Sequence, residues 1–281
     1  MIFLLGLITT QTGVMYAMRL TDIYGKNRYA IMVFIYVTCT ILSFFLLSDK
    51  TLFYNTHAGR TAFCLALYNG PLMAAGLYYI TYSIRTNGTP ISTTFNRLGI
   101  LIPTGVSILI FRESPESIQL VGILIAVFSI IYINSGKEKR EHNHVKSMPL
   151  LFGIFFIGGL IDLNSKLYDV YGDNTLKDHY TFYTFAICIV ASLLLALAKD
   201  RSVHWNDIWI GILIGIPNAF TLSLTLKAVE LLPAYIVFPA ASAGVILIVN
   251  LINYFILHED LSRQEKIATG LIAIALVMIN L

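Results

Sequence analysis

The chain has 281 residues, of which 57% are hydrophobic and only 12% charged, whereas an ordinary soluble domain carries about 25% charged residues. A formal net charge of +3 spread over many connections offers no basic surface for nucleic acid. Three cysteines, Cys39, Cys64 and Cys188, all sit within apolar runs without CxxC or metal-ligand spacing, and they read as small buried hydrophobes.

In chain order, apolar runs of about 18–25 residues, each able to cross a hydrocarbon layer of about 30 Å as a helix, lie near 2–19, 29–48, 61–84, 89–111, 117–135, 148–167, 179–198, 208–227, 232–257 and 266–281. The first lacks a basic leader and a small-residue cleavage site, so it reads as a span rather than a signal peptide. Connections are short. The expected fold class is an all-α membrane protein with ten transmembrane helices.

Polar side chains inside spans are costly and mark functional positions by default. Span one carries Gln11 and Tyr16. Span three carries Tyr68, Asn69 and Pro71 in "YNGP", with Tyr79 and Tyr82 on the face of Tyr68. Arg97 lies deep in span four, where a charge costs about 2.5 kcal/mol or more, and Thr93, Asn96, Thr104 and Ser107 surround it at helical spacing. Its guanidinium suits a carboxylate or phosphate of a substrate. Two alternatives are an ion pair with Asp162 and a cap on the carbonyls of a broken helix.

Spans five and ten are almost purely apolar in their middles. Span six holds Asp162, Asn164 and Lys166. Asp162 is the candidate for cation or proton coupling, or else it neutralises Lys166 at i+4. Span eight has Pro217 and Asn218 in "GIPN", followed by Thr221 and Thr225 on the same face, and span nine has Ser242, Asn250 and Asn253. Pro71 and Pro217 are expected to break their helices, and paired breaks in corresponding spans point to a midplane site. Asn69 and Asn218 either contact a ligand or satisfy the freed backbone. Tyr16 and Tyr68 suit a flat or cationic substrate, or helix packing.

The chain also repeats itself. "GLITTQTGVMYAMRLTDIYG" (Gly6–Gly25) lies without a gap over "GIFFIGGLIDLNSKLYDVYG" (Gly153–Gly172), and "FRESPESIQLVG" resembles "LHEDLSRQEKIATG", with Glu113 and Glu259 146 positions apart. Two halves of five spans must enter the membrane from opposite sides, which gives two inverted five-helix repeats. The first repeat is 1–135, a charged linker with His142 and His144 occupies 136–147, and the second is 148–281. The linker histidines read as part of a solvated loop. The repeated "RLTDIYG" and "KLYDVYG" end their spans, where Arg19 and Lys166 snorkel to the interface. Their register exposes Met15 against Asp162 and Ala17 against Asn164 as the positions where the copies diverge.

Ten spans in two halves, with "ILIFRESPESIQLVGILI" and "LPAYIVFPAASAGVILIVNLINYFILHEDLSRQEKIATGLIAIALVMI", resemble the drug/metabolite transporter superfamily, specifically its EamA-type permeases. The likeness covers nearly the whole chain. The most specific pattern is an acidic residue after spans four and nine, followed by a glycine-containing helix: Glu113 with Gly122, and Glu259 with Gly270. The family's polar residue followed by lysine is present in "DLNSK" of span six, whereas span one has Arg19 in place of the lysine. The resemblance implies a carrier, not an enzyme, which moves a small polar metabolite by alternating access through a central cavity between the halves.

Amino acid-like, amine and nucleobase-like substrates all fit this reading. No phosphate-binding GxxxxGK[ST] loop is present, so the expected drive is H+, Na+ or a counter-substrate, with no cofactor and no metal. The expected setting is a bacterial cytoplasmic (inner) membrane, as monomer or homodimer in the lipid bilayer. Lysine and arginine are more numerous in the loops after odd-numbered spans, which puts both termini outside, while the resemblance puts them in the cytoplasm. The alternatives are a membrane-embedded enzyme on a lipid-like substrate and a non-carrier channel. The chain lacks HExxH, an aspartate-rich pair and a serine elbow, against the first.

Overall fold

A computed structural model describes residues 1–141, 147–256, 258 and 262–281, and the side chains of Arg19, Asp22, Thr89, Pro90 and residues 134–141 lie outside the description. His142, His144, Glu259 and the Arg19 side chain therefore fall outside the described residues.

Helix is the only regular structure among the described residues, as suits a backbone that must pair its own N–H and C=O groups away from water. The helices are α1 (Ile2–Tyr24), α2 (Arg28–Phe45), α3 (His57–Asn87), α4 (Thr89–Leu98), α5 (Leu101–Leu109), α6 (Ser117–Glu141), α7 (Met148–Tyr171), α8 (Lys177–Lys199), α9 (Trp205–Leu231), α10 (Ala234–Phe255) and α11 (Arg263–Asn280). A 3₁₀ turn at Asn174–Leu176 leads into α8. Six segments are long and apolar enough to cross a membrane: Arg28–Phe45, His57–Asn87, Met148–Tyr171, Asn174–Lys199, Trp205–Leu231 and Ala234–Phe255. Ile2–Met18 and Ser117–Ile133 are shorter apolar helical stretches.

Two expectations about helix breaks are corrected. Pro71 and Pro217 do not interrupt α3 and α9, which run on through them. A proline forfeits one N–H, whereas ending a helix in an apolar span strands several backbone groups at once. The break falls instead in the stretch read as one span over 89–111, which divides into α4 and α5 at Gly99 and Ile100. Pro103 has no N–H to offer the Gly99 carbonyl four residues back. That carbonyl accepts from Ile102 N at 3.0 Å, while Gly99 N and Ile100 N reach the carbonyls of Asn96 (3.2 Å) and Arg97 (3.3 Å). Three-residue spacing of this kind tightens the chain into a 3₁₀ step.

The chain forms two compact bodies, Met1–Ala75 with Asn164–Glu230, and Gly76–Leu163 with Leu231–Leu281. In the first, α2 packs along α8. A methyl group on Gly215 of α9 would lie 2.6 Å from Thr38 Cβ and 2.9 Å from the Ile35 carbonyl oxygen. One on Gly70 of α3 would lie 2.6 Å from Ile187 Cγ2 and 3.1 Å from the Thr184 carbonyl oxygen. The thiol of Cys39 donates to the Gly215 carbonyl (3.4 Å), and that of Cys188 donates to the Gly70 carbonyl (3.3 Å). Ile35, Thr38 and Cys39 thus do on α2 what Thr184, Ile187 and Cys188 do on α8, each 149 positions later.

At one end of this body residues 46–56 lie across the start of α8. Tyr183 donates its hydroxyl to the Leu52 carbonyl (2.7 Å), Ser48 bonds to Asp178 (2.8 Å), and the Tyr54 ring meets His179 edge-on at 5.0 Å. The hydroxyls of Thr51 and Tyr54 and the Thr51 amide all donate to Asp49, which holds its carboxyl down at about 2.

In the second body α6 packs along α11, where a methyl on Gly122 would meet Met278 Cβ at 2.9 Å and Ile279 N at 3.0 Å. A capping box of Ser262 and Glu265 starts α11. Glu113 begins no helix of its own. Its carboxylate accepts the Ala234 amide at the start of α10 (3.1 Å) and the Ser107 hydroxyl, so the acidic residue after span four fixes the N-terminus of another helix.

Candidate functional site

Two of the charged residues singled out in the sequence, Arg97 and Asp162, lie in the second body, where the end of α4 meets α7. Gly99 and Gly159 meet backbone to backbone there, since a methyl on Gly159 would lie 2.5 Å from the Gly99 carbonyl oxygen. Small residues allow this approach in a membrane setting, where helix association relies on close packing. Ile91, Leu151 and Ile154 form the apolar floor beneath it, with Ile80 and Phe95 packed against them.

Three of the polar side chains singled out in the sequence lie near this crossing. Arg97 occupies the last turn of α4, where a cation faces the negative end of the helix. Its Nη1 donates to the Ser242 carbonyl of α10 at 3.4 Å, and its side chain stays partly exposed. Asn96 is exposed and lies against Gly158, where an added methyl would sit 3.1 Å from Asn96 Oδ1. Asp162 follows Gly158 by one turn on the same face of α7. The residue is half-buried, and no hydrogen bond or ion pair is found for its carboxylate among the described residues.

Both internal pairings considered for Asp162 are therefore absent. Lys166 pairs with Asp169 at 3.0 Å rather than with Asp162, because i,i+3 spacing on the next turn reaches an oxygen nearer the helix end. Arg97 reaches a backbone carbonyl within the continuous helix α10, and the residue as a whole is half-buried.

The remaining predicted residues separate from this cluster. Asn69 and Asn164 are fully buried in the first body and bracket Tyr180: Asn69 Nδ2 donates to the Tyr180 hydroxyl (2.9 Å), which donates to Asn164 Oδ1 (3.1 Å). Asn164 Nδ2 extends the chain to the Leu65 carbonyl (3.4 Å) and Tyr168 stacks on Tyr180 at 4.2 Å. This is a bolt joining α3, α7 and α8, with only Asn69 Oδ1 left without a partner. Asn218 is half-buried with its amide 3.5 Å from Cys39 Sγ, and Thr221 bonds back to the Pro217 carbonyl at 3.1 Å. Gln11 and Tyr16 are half-buried on α1, while Tyr68 is 46% exposed on α3. Asn250, in the second body, donates to Thr269 of α11 at 2.8 Å and serves helix packing.

Sequence reasoning passed over Tyr180, the thiols and the glycines. "IGGL" in span six was the visible signal for the last. Among the described residues no group of three or more His, Cys, Asp or Glu side chains is arranged to hold a metal.

Residues 167–281 match the EamA-like transporter family. A Haemophilus influenzae protein, described only as uncharacterized, is 22% identical over 240 residues, which is 82% of this chain and 80% of that one. A crystal structure 11% identical in sequence superposes with a TM-score of 0.72 over 99% of this chain and 94% of its own, a likeness of fold alone. Among the described residues six helices are long and apolar enough to cross a membrane, which points to an integral membrane protein, and its segment 167–281 is similar to the EamA-like transporter family, part of the drug/metabolite transporter superfamily.

Proposed function

We propose that the protein is a secondary transporter that moves a small polar metabolite, amino acid-like, amine or nucleobase-like, across the membrane by alternating access. In this reading α4 and α5 form one broken span, the chain crosses the bilayer ten times, and its halves are inverted five-helix repeats. The matched contacts of α2 with α9 and of α8 with α3, whose partners are 149 positions apart between α2 and α8 and 145 apart between Gly70 and Gly215, support the repeat. The drive is an H+ or Na+ gradient or a counter-substrate, the setting is a bacterial inner membrane, and the working unit is a monomer or homodimer.

One observation carries the assignment of the site: a half-buried arginine and a half-buried aspartate with no hydrogen bond or ion pair among the described residues stand on two helices that meet at a backbone break. Intramembrane charges are retained where they bind a solute or a coupling ion. Arg97 fixes an anionic group of the substrate, Asn96 hydrogen-bonds it, and Asp162 takes a proton or a cationic group.

The test is a thermal-shift screen of the purified protein against amino acids, amines, nucleobases and phosphorylated sugars, followed by uptake into proteoliposomes of any compound that raises the melting temperature. A stabilising compound should show saturable uptake that disappears in Arg97→Gln, provided the variant keeps its melting temperature. Undiminished uptake by a folded Arg97→Gln protein removes Arg97 from the site.

A further inference from the structure

Two short turns of the first body carry the same local pattern, a polar residue flanked by cations: Lys26–Asn27–Arg28 between α1 and α2, and Lys199–Asp200–Arg201 between α8 and α9. The fold ties their centres together. Asn27 Nδ2 donates to the Asp200 carbonyl (3.2 Å) and to the Ser202 carbonyl (2.6 Å), while its Oδ1 caps α2 through Tyr29 N and Ala30 N. Asp207 is fully buried and locks the same knot: Oδ1 accepts the amides of Lys26 (2.9 Å) and Asn27 (3.1 Å), and Oδ2 accepts the His204 amide and faces its ring Nδ1, both at 3.1 Å.

The consequence is a concentration of positive charge. The buried aspartate spends its acceptor capacity inward, and the Asp200 carboxylate bonds the Ser202 amide at 2.9 Å. Lys26, Lys199 and Arg201 have exposed side chains and Arg28 is partly exposed. Beside them Trp205 and Trp209 are 67% and 55% exposed and meet edge to face at 5.7 Å. Tryptophan at the end of an apolar helix sits at headgroup depth. Clustered cations at that depth attract anionic lipid.

We propose that this knot is a binding site for the headgroup of an anionic phospholipid, with Lys26 and Arg201 on the phosphate and the tryptophan pair against the glycerol and upper acyl region. Arginine supplies the forked donors that suit a phosphodiester, and lysine supplies a point charge. The arrangement requires only that the protein sits in a membrane, and is independent of what it transports.

The chain has two tryptophans, so its intrinsic fluorescence reports on this site alone. The full-length protein in neutral detergent is titrated with brominated phosphatidylglycerol and, separately, brominated phosphatidylcholine. The expected result is quenching at a several-fold lower mole fraction of the anionic lipid, a preference that shrinks at about 1 M salt, where screening acts within about 3 Å. The double variant Lys26→Gln/Arg201→Gln should quench equally with both lipids. Equal quenching by both lipids in the wild type overturns the site without recourse to a variant. So does an unchanged preference in the double variant, and so does displacement of the lipid by millimolar inorganic phosphate, which would make the occupant a free anion.

Discussion

A methyl group on Gly99 would lie 2.8 Å from the backbone nitrogen of Gly159, and one on Gly159 would lie 2.5 Å from the carbonyl oxygen of Gly99. Each glycine allows the other's backbone its position. Because the contact is with backbone, no rotamer change relieves it. The crossing therefore sets how Arg97 and Asn96, just before the break in α4, lie relative to the turn of α7 that leads to Asp162.

Gly159→Ala should lower the melting temperature, with a cost in the range of about 1–3 kcal/mol typical of overpacking. Gly153→Ala on the same helix meets nothing within 4 Å and should be neutral or gain about 0.5–1 kcal/mol from helix propensity. Thermal melts of the two variants side by side check this. Equal melting temperatures would contradict the close approach.

The paired thiols make a second prediction. Cys39→Ala and Cys188→Ala should each lose a buried donor to a carbonyl beside a proline-containing turn, with similar costs of about 0.5–1.5 kcal/mol. Serine at either position keeps a donor and should recover part of the loss. Cys64, which is exposed, should tolerate alanine without a measurable change.

If Asp162 accepts a proton during transport, uptake should depend on external pH in the wild type and lose that dependence in Asp162→Asn. The readout is initial uptake rate across a pH series in proteoliposomes. Identical pH profiles for both proteins would end the coupling role while leaving Arg97 untouched.

Asp49 makes a prediction outside the membrane. Its folded carboxyl is held at about 2, below the ordinary 3.8, so the bonds from Thr51 and Tyr54 stabilise the 46–56 segment fully above pH 3.8. That contribution should fade as pH falls from 3.8 through about 2. Hydrogen exchange at the Thr51 amide should accelerate across this window, and in Asp49→Asn the acceleration should be absent.

Much of the helical layout was legible because the bilayer imposes a length and a composition on every crossing. The polar residues were equally visible, yet their roles were not. Asn69 and Asn164 were visible as buried polar residues, but their hydrogen bonds with Tyr180 were not, since the sequence gives no sign of which helices become neighbours. Pro71 and Pro217 looked like breaks, while Pro103, four residues beyond Gly99, produced one. A proline removes one donor in every case, and the surrounding packing decides whether the helix bends, breaks or continues.

By itself the sequence determined that this is a helical membrane protein, that its opening and middle segments are related in register, and that Arg97 and Asp162 are charges in an apolar setting. Those properties depend on the identity and order of residues, which hydropathy and spacing read directly. Only the tertiary structure decided that the carboxylate of Asp162 has no partner among the described residues, that α4 and α7 meet through two glycines, and that four cations gather around Asn27 and Asp207. Each of these depends on contacts between residues distant in the chain, and such contacts are fixed by how helices pack rather than by what any one helix contains.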